Sequence, residues 1–493
     1  MIKFITATAL FLYFFGIGPY CAVASTTPGI GQVHNCDQAF LPAARSGEHC
    51  RHSDGPFNVY VFMPKDTETA ARPPVLYLLG GPGSLVAPRK KRFAALAEQA
   101  QRVIIVPAVA DALLQLDCQS DGASDAVWGI AANPEDASVY GREQQAARLD
   151  GCLSKVRLTS SDGSADLLGT SIIAGQLYGL REGLGVQGWH LFAESYGARV
   201  ALSLATQDRS GTLSQTLDSP ETPWVNDFWH TGRNFFNALK KLSSYCRSHF
   251  YCPAKRGRLE RDLLRGIAQQ NAATAAPVAL KNIITGQIAA YAKPTREQLL
   301  ISSFHALRTP ARAAILPYIG SSPENMRERF GLLLDQLLFP ADGLNTGMHH
   351  LIRCSELPMA TWYRALEDDK LEHPEMAPFL SYLAWRQKYA CDALAVSPPK
   401  TFRVPTLPRV PSLVLSGELD PVTPPSLVES AFRGADPYLI RRYRALGHVT
   451  HAQKECVMED VLSFWESPSS PPKRSACSSD DLALRFYSPV VVR

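Results

Sequence analysis

Short apolar runs alternate with helical periodicities along the first part of the chain. Residues 75–79 (VLYLL) and 103–106 are unbroken apolar stretches, the pattern of strands covered on both faces. Residues 57–62 (FNVYVF) alternate, as a strand with one exposed face does. Helical spacing marks 93–101 and 165–184, and the second of these feeds the mostly apolar run 189–192. Residues 213–217 read as the next strand. The alternation predicts an α/β fold, a mostly parallel open sheet with helices on both faces.

From Thr222 to about Lys400 the strand-like runs thin out. Helical patterns over 235–245, 258–270 and 327–338 dominate, with Trp224, Trp229, Trp362, Tyr363 and Trp385 among them. This texture predicts a helical unit inserted over the sheet edge, closed by the proline-rich stretch 397–411. Sheet character returns at 412–415 and 438–443. The expected organisation is a signal at 1–24, a first core part at 25–221, a helical cap at 222–400 and a second core part at 401–493.

One stretch, Gly188 to Leu202, joins the two patterns. The run 189–192 ends at Ala193, helical spacing begins after Tyr196, and Ser195 sits between them. A strand that turns sharply into a helix strains the central residue and brings its neighbours at minus two and plus two together, so both must be small. Ala193 and Gly197 meet that condition. The form is A-x-S-x-G, a nucleophile elbow that pushes the Ser195 hydroxyl out at the top of a sheet.

Composition narrows the class. Hydrophobic residues are 46% and charged ones 19% of 493, which describes a globular chain with a large core. The net charge is +4, and Lys3 is the single charge before the expected processing site, so the mature chain carries about +3. That balance gives no reason to expect nucleic acid as a partner. Lys3, the apolar centre 4–15 and the small residues Ala22 and Ala24 form an export signal, so the mature protein is expected to be secreted or periplasmic, without stable membrane insertion. Oligomeric state leaves no mark on the sequence.

Eleven cysteines fall to ten once Cys21 leaves with the signal. An even number in an oxidising compartment favours disulfides over metal ligation. Joining neighbours in order gives five local loops: 36 to 50, 118 to 152, 246 to 252, 354 to 391 and 456 to 477.

A serine hydroxyl needs a base, and the base needs a carboxylate to orient it. Residues 412–415 end in SGELDP, which puts Asp420 just past a strand end, and 438–443 are followed by ALGH, which puts His448 in the corresponding place. Nucleophile, acid and histidine then follow in chain order. Glu418 is the rival acid and His451 the rival base. Gly80 and Gly81, in the GGPG loop after 75–79, let backbone N–H groups approach a substrate oxygen closely. His349 and His350 read as loop or helix-end residues and His190 as a packed core residue. Glu194 reads either as a group for a substrate's charged end or as a salt-bridge partner of Arg199.

Taken together, GGPG, the SYGAR elbow, the helical insertion, the late DPVTP and GH elements and the tail from Cys456 through Phe464-Trp465 to Cys477 resemble the tripeptidyl aminopeptidase-like branch of the S33 (prolyl aminopeptidase) family, of α/β-hydrolase fold. The resemblance implies a Ser195, Asp420, His448 triad and an oxyanion region at Gly80, Gly81 and the N–H of Tyr196. It implies cleavage of short peptides from a free N-terminus, with ester hydrolysis as an alternative. Glu356, in the cysteine-acid element Cys354-Ser355-Glu356, is the candidate to receive a substrate ammonium. The chain departs from the family at Leu79, at Ala193-Glu194 and at 106–111, where a different loop is expected. Glu-Ser-Tyr also resembles serine carboxypeptidases, and the altered loop admits an inactive binding module. The expected substrate is a small peptide or ester, and this chemistry needs no metal or organic cofactor.

Overall fold

The computed structural model describes residues 35–51, 57–65, 72–111, 129–139, 141–160, 169–254, 257–271, 276–281, 287–320, 331, 344–396 and 406–486. The signal, Cys118 of the expected 118 to 152 pair and all but residue 331 of the helix expected at 327–338 lie outside the described residues.

Eight strands form the main sheet: β1 (His49–Arg51), β2 (Asn58–Phe62), β3 (Val75–Leu78), β4 (Ile104–Ala108), β5 (Trp189–Glu194), β6 (Thr212–Asp218), β9 (Ser412–Gly417) and β10 (Tyr438–Tyr443). Their order is β1-β2-β4-β3-β5-β6-β9-β10. The first two pairings are antiparallel and every later one is parallel. The central strands β3 and β5 are buried at every residue, β3 as its unbroken apolar run requires and β5 with His190 and Glu194 buried among its apolar residues. Helices α1 (Lys90–Ala100), α2 (Arg142–Ser160), α3 (Thr170–Gly183) and α4 (Gly197–Gln207) connect the early strands. This strand order, with one antiparallel edge and crossover helices, is the α/β-hydrolase arrangement.

Between β6 and β9 the chain is mainly helical: α5 (Thr231–Ser248), α6 (Leu259–Ala268), α7 (Arg296–Ala306), α8 (Thr346–Glu356), α9 (Met359–Glu372) and α10 (Ala377–Leu394). These helices bury a core of their own, built on residues such as Phe235, Leu263, Leu300 and Phe379. The segment also holds a two-stranded hairpin, β7 (Val278–Lys281) with β8 (Ile288–Ala292), which the thinning of strand patterns did not predict. After β9 and β10 come α11 (Pro425–Phe432) and α12 (Glu455–Glu466).

Four of the expected cysteine pairs are joined: Cys36–Cys50, Cys246–Cys252, Cys354–Cys391 and Cys456–Cys477. Such pairs persist in oxidising compartments. Among the described residues no helix is long and apolar enough to cross a membrane.

Candidate active site

Strand β5 runs directly into α4 through Ser195 and Tyr196, and Ser195 takes the left-handed conformation at φ 49°. A side chain pays for that conformation in strain, which sites of chemistry tolerate when the surroundings fix it. Here the surroundings do: the Ser195 N–H donates to the Asp218 carbonyl at 2.9 Å, and the Ser195 carbonyl accepts from the Glu221 N–H at 3.0 Å. Gly197 is the other half of the turn. A Cβ built on it would lie 2.3 Å from the Leu78 carbonyl oxygen, so only glycine lets α4 start so close to β3.

The GGPG loop runs past this turn. A Cβ on Gly80 would sit 3.1 Å from the Ser195 Cβ, and Gly81 has φ +120°. The N–H of Tyr196 belongs to the N-cap of α4, where the helix dipole favours negative charge. The Tyr196 phenol is buried and tied to Thr170 Oγ1 at 2.8 Å.

Asp420 and His448 come from the loops after β9 and β10 and meet with Oδ2 to Nδ1 at 2.7 Å. Thr423 Oγ1 lies 2.7 Å from the same carboxylate oxygen, and the amides of Val422 and Thr423 donate to Asp420 Oδ1. Burial alone would raise the Asp420 pKa. The charge and hydrogen bond of His448, with the Thr423 contacts, hold it below the usual carboxylate range. The carboxylate therefore stays ionised and accepts the Nδ1–H, leaving Nε2 as the ring's free nitrogen. The helical cap also braces this loop: the His448 N–H donates to the Arg308 carbonyl at 3.0 Å.

Serine and histidine loops are joined through the end of β6. Val449, the residue after His448, donates its N–H to Ser219 Oγ at 2.9 Å, and Ser219 follows the Asp218 whose carbonyl holds Ser195. Val449 itself is left-handed at φ 65°, unfavourable for a β-branched residue and a second strained point beside the site.

The rivals occupy other positions. Glu418 pairs with Tyr245 and Lys241 on α5. His451 stands between two carboxylates, with Nδ1 2.6 Å from Asp218 and Nε2 3.3 Å from Glu194. His190 is buried in β5 and bonded to Ser214 Oγ at 2.8 Å.

Glu194 differs from both of its expected roles. Its carboxylate is buried among Tyr77, Arg92 and His451, and Arg199 instead pairs with Glu221 and Glu356. Glu194 is the last residue of β5, and its side chain meets Tyr77 of the neighbouring strand β3 and Arg92 of α1. Glu356 is likewise engaged, accepting from Thr170 Oγ1 at 2.6 Å and from Arg199 at 3.0 Å. Its carboxylate braces α3 and α4 and is not a free group for a substrate ammonium.

Residues 106–111 end β4 and turn beneath the GGPG loop. Asp111 caps the amides of Val86 and Ala87, while Pro107, Val109 and Ala110 line a small, mostly apolar cavity with Gly80, Tyr196 and Ile173. The unfamiliar loop thus builds a wall of the site.

Comparison with known proteins adds one match in sequence. Residues 377–477 match the family model described as TAP-like protein. No curated protein matches the chain. Solved structures of similar fold include a serine hydrolase from Cycloclasticus zankles, at 11% identity over 86% of this chain and 98% of that one, TM-score 0.34. A proline iminopeptidase from Mycobacterium smegmatis stands at 15% identity over 86% and 98%, TM-score 0.35. A structure of novel epoxide hydrolases from hot-environment metagenomes stands at 12% over 87% and 99%, TM-score 0.37. Likeness at that level bears on neither substrate nor site. By its sheet order the chain has the α/β-hydrolase fold, and its residues 377–477, from the last cap helix through the second core part, are similar to a TAP-like protein, the branch its motifs resemble.

Proposed function

We propose that the protein is an exported serine hydrolase that cleaves carboxylic esters or amides by acyl transfer. The Ser195 hydroxyl attacks the substrate carbonyl as its proton passes to His448 Nε2. Asp420 holds the imidazole in the right tautomer and stabilises the imidazolium that forms. The N–H groups of Gly80, Gly81 and Tyr196 receive the oxyanion. The leaving group then takes the proton from His448, and water, activated by the same ring, releases the acyl group from Ser195.

The observation that carries this reading is the buried 2.7 Å contact of Asp420 with His448, on a loop fastened to the same β6 end that fixes the strained Ser195. Ordinary surface carboxylates and histidines are not dried, paired and anchored in this way. The disulfides and the apolar, Lys3-led N-terminus support export. The test is hydrolysis of p-nitrophenyl esters by the purified mature chain. Asp420→Asn, which spoils the tautomer and not the shape, should lower kcat by roughly 10³- to 10⁴-fold. Unchanged turnover in that variant would remove Asp420 from the mechanism.

The TAP-like match favours a second, narrower reading, an aminopeptidase acting on short peptides. Peptide amides with free and blocked N-termini test it. A preference for the free amine is expected if it holds.

A further inference from the structure

A cavity of about 210 Å³ opens between α8, α9 and α10 of the cap and Pro421-Val422, the residues following Asp420. It adjoins the oxyanion loop, since His349 in its wall donates Nδ1–H to the Pro82 carbonyl at 3.2 Å. Trp229, Phe304 and Trp362 make it aromatic, and Arg353 and Arg386 make it cationic. No Asp or Glu lines it among the described residues.

The two arginines differ. Arg353 reaches Glu221 at 3.5 Å, which also holds Arg199. Arg386 has no acidic partner among the described residues, and its Nε is buried without a hydrogen bond. Beside it His350, 2% exposed, donates Nδ1–H to Gln387 Oε1 at 3.3 Å. Its Nε2 therefore carries a lone pair, and that atom too is buried without a partner. Burial, reinforced by Arg386, holds the His350 pKa down at about 3, so the ring adds no charge of its own. A buried donor and a buried acceptor left over in one cavity are what a ligand with both kinds of group would satisfy.

We propose that this cavity seats a carboxylate of the substrate on the guanidinium of Arg386, while an O–H or N–H of the same substrate donates to His350 Nε2. The proposal rests on the acyl-transfer reading above and names its substrate class: carboxylate-bearing esters or amides. The aromatic walls take the apolar stretch between the carboxylate and the reacting carbonyl. Arginine suits the task because its planar fork stays charged and meets a carboxylate with two bonds. A substrate ammonium in the same place would meet like charge.

The experiment compares three p-nitrophenyl esters of one chain length: hydrogen adipate, hexanoate and 6-aminohexanoate. Wild-type kcat/KM for the adipate should exceed that for hexanoate by roughly tenfold or more, mainly through KM, with the amino ester slowest. Arg386→Gln should bring the adipate-to-hexanoate ratio close to one, and Arg386→Lys should keep part of it. A wild-type ratio of one or less overturns the proposal, as does an unchanged ratio in Arg386→Gln. Turnover of hexanoate with no adipate preference sinks this proposal alone. Turnover of none of the three, with no labelling of Ser195 by a fluorophosphonate, sinks the acyl-transfer reading and this proposal with it.

Discussion

Asp218 and His451 are fastened together twice, ring Nδ1 to Oδ2 at 2.6 Å and backbone N–H to the same oxygen at 2.9 Å. The other carboxylate oxygen takes the amide and hydroxyl of Thr450. Burial would raise the Asp218 pKa, but these bonds and the His451 ring hold it below the usual range, so a buried carboxylate at the end of β6 grips the segment after His448. Since the Asp218 carbonyl also holds the Ser195 amide, one residue sets the spacing of two loops.

Asp218→Ala should therefore act as the loss of a positioning residue. Removing one partner of a buried, hydrogen-bonded pair costs about 3–5 kcal/mol, and the freed loop should lower kcat more than it raises KM. Urea unfolding and ester kinetics on the variant measure both. A stable variant with normal kcat would show that the His448 loop holds its place without Asp218.

Gly197→Ala should disturb the elbow directly. The added methyl would lie 2.3 Å from the Leu78 oxygen, backbone that cannot yield without shifting β3 or α4. The expected cost is about 2 kcal/mol or more, with slower acylation of Ser195. Burst kinetics with a p-nitrophenyl ester read that step, and a full burst at the wild-type rate would contradict the close contact.

Acid should weaken the fold in two stages. Desolvation pushes His190 down to about 4, helped by Arg102, and His350 down to about 3, helped by Arg386. An unfolded imidazole titrates near 6.5. Between roughly pH 6.5 and 4 the unfolded chain then binds protons that the folded one refuses, so stability falls as pH falls, by up to about 1.4 kcal/mol per pH unit for each ring. Asp218, Glu194 and Asp420 have folded pKa values below the unfolded one, so their contribution is present above about pH 4 and is lost only as pH falls further. Urea midpoints at pH 7.5, 5.5 and 4.5 check the first stage. A midpoint constant across that range would contradict the burial of these histidines.

How far the sequence could be read follows from which contacts are local. Strand β5 and the turn at Ser195 announce themselves because an apolar run, two small residues and a helical period lie within fifteen positions. Asp420 and His448 stand out because each follows a strand-like run at a turn. The partners that anchor them do not: Asp218 closes a strand as an ordinary polar residue, and its meeting with His451 depends on β6 and β10 flanking β9. Glu194 reads ambiguously for the same reason, since Tyr77 and Arg92 reach it from β3 and α1. Arg386 lies in a helix of mixed residues, where nothing local separates a solvated arginine from one facing a cavity. The hairpin β7–β8 leaves little trace in the sequence because its strands are short, four and five residues, and β8 is mostly alanine.

The 354 to 391 disulfide ties α8 to α10, two walls of the cationic cavity. Replacing both cysteines with serine should cost about 3–4 kcal/mol, from the 37-residue separation that the bond closes. A thermal melt compared with the wild type measures it, and an unchanged Tm would show that helix packing alone holds the two walls.

Reaction with a fluorophosphonate probe, read by mass spectrometry of the intact protein and its peptides, tests the central assignment most directly. One adduct per chain, located on Ser195 and absent from Ser195→Ala, is the predicted result. A folded wild-type protein that takes up no probe, or an adduct that persists in Ser195→Ala, would contradict it.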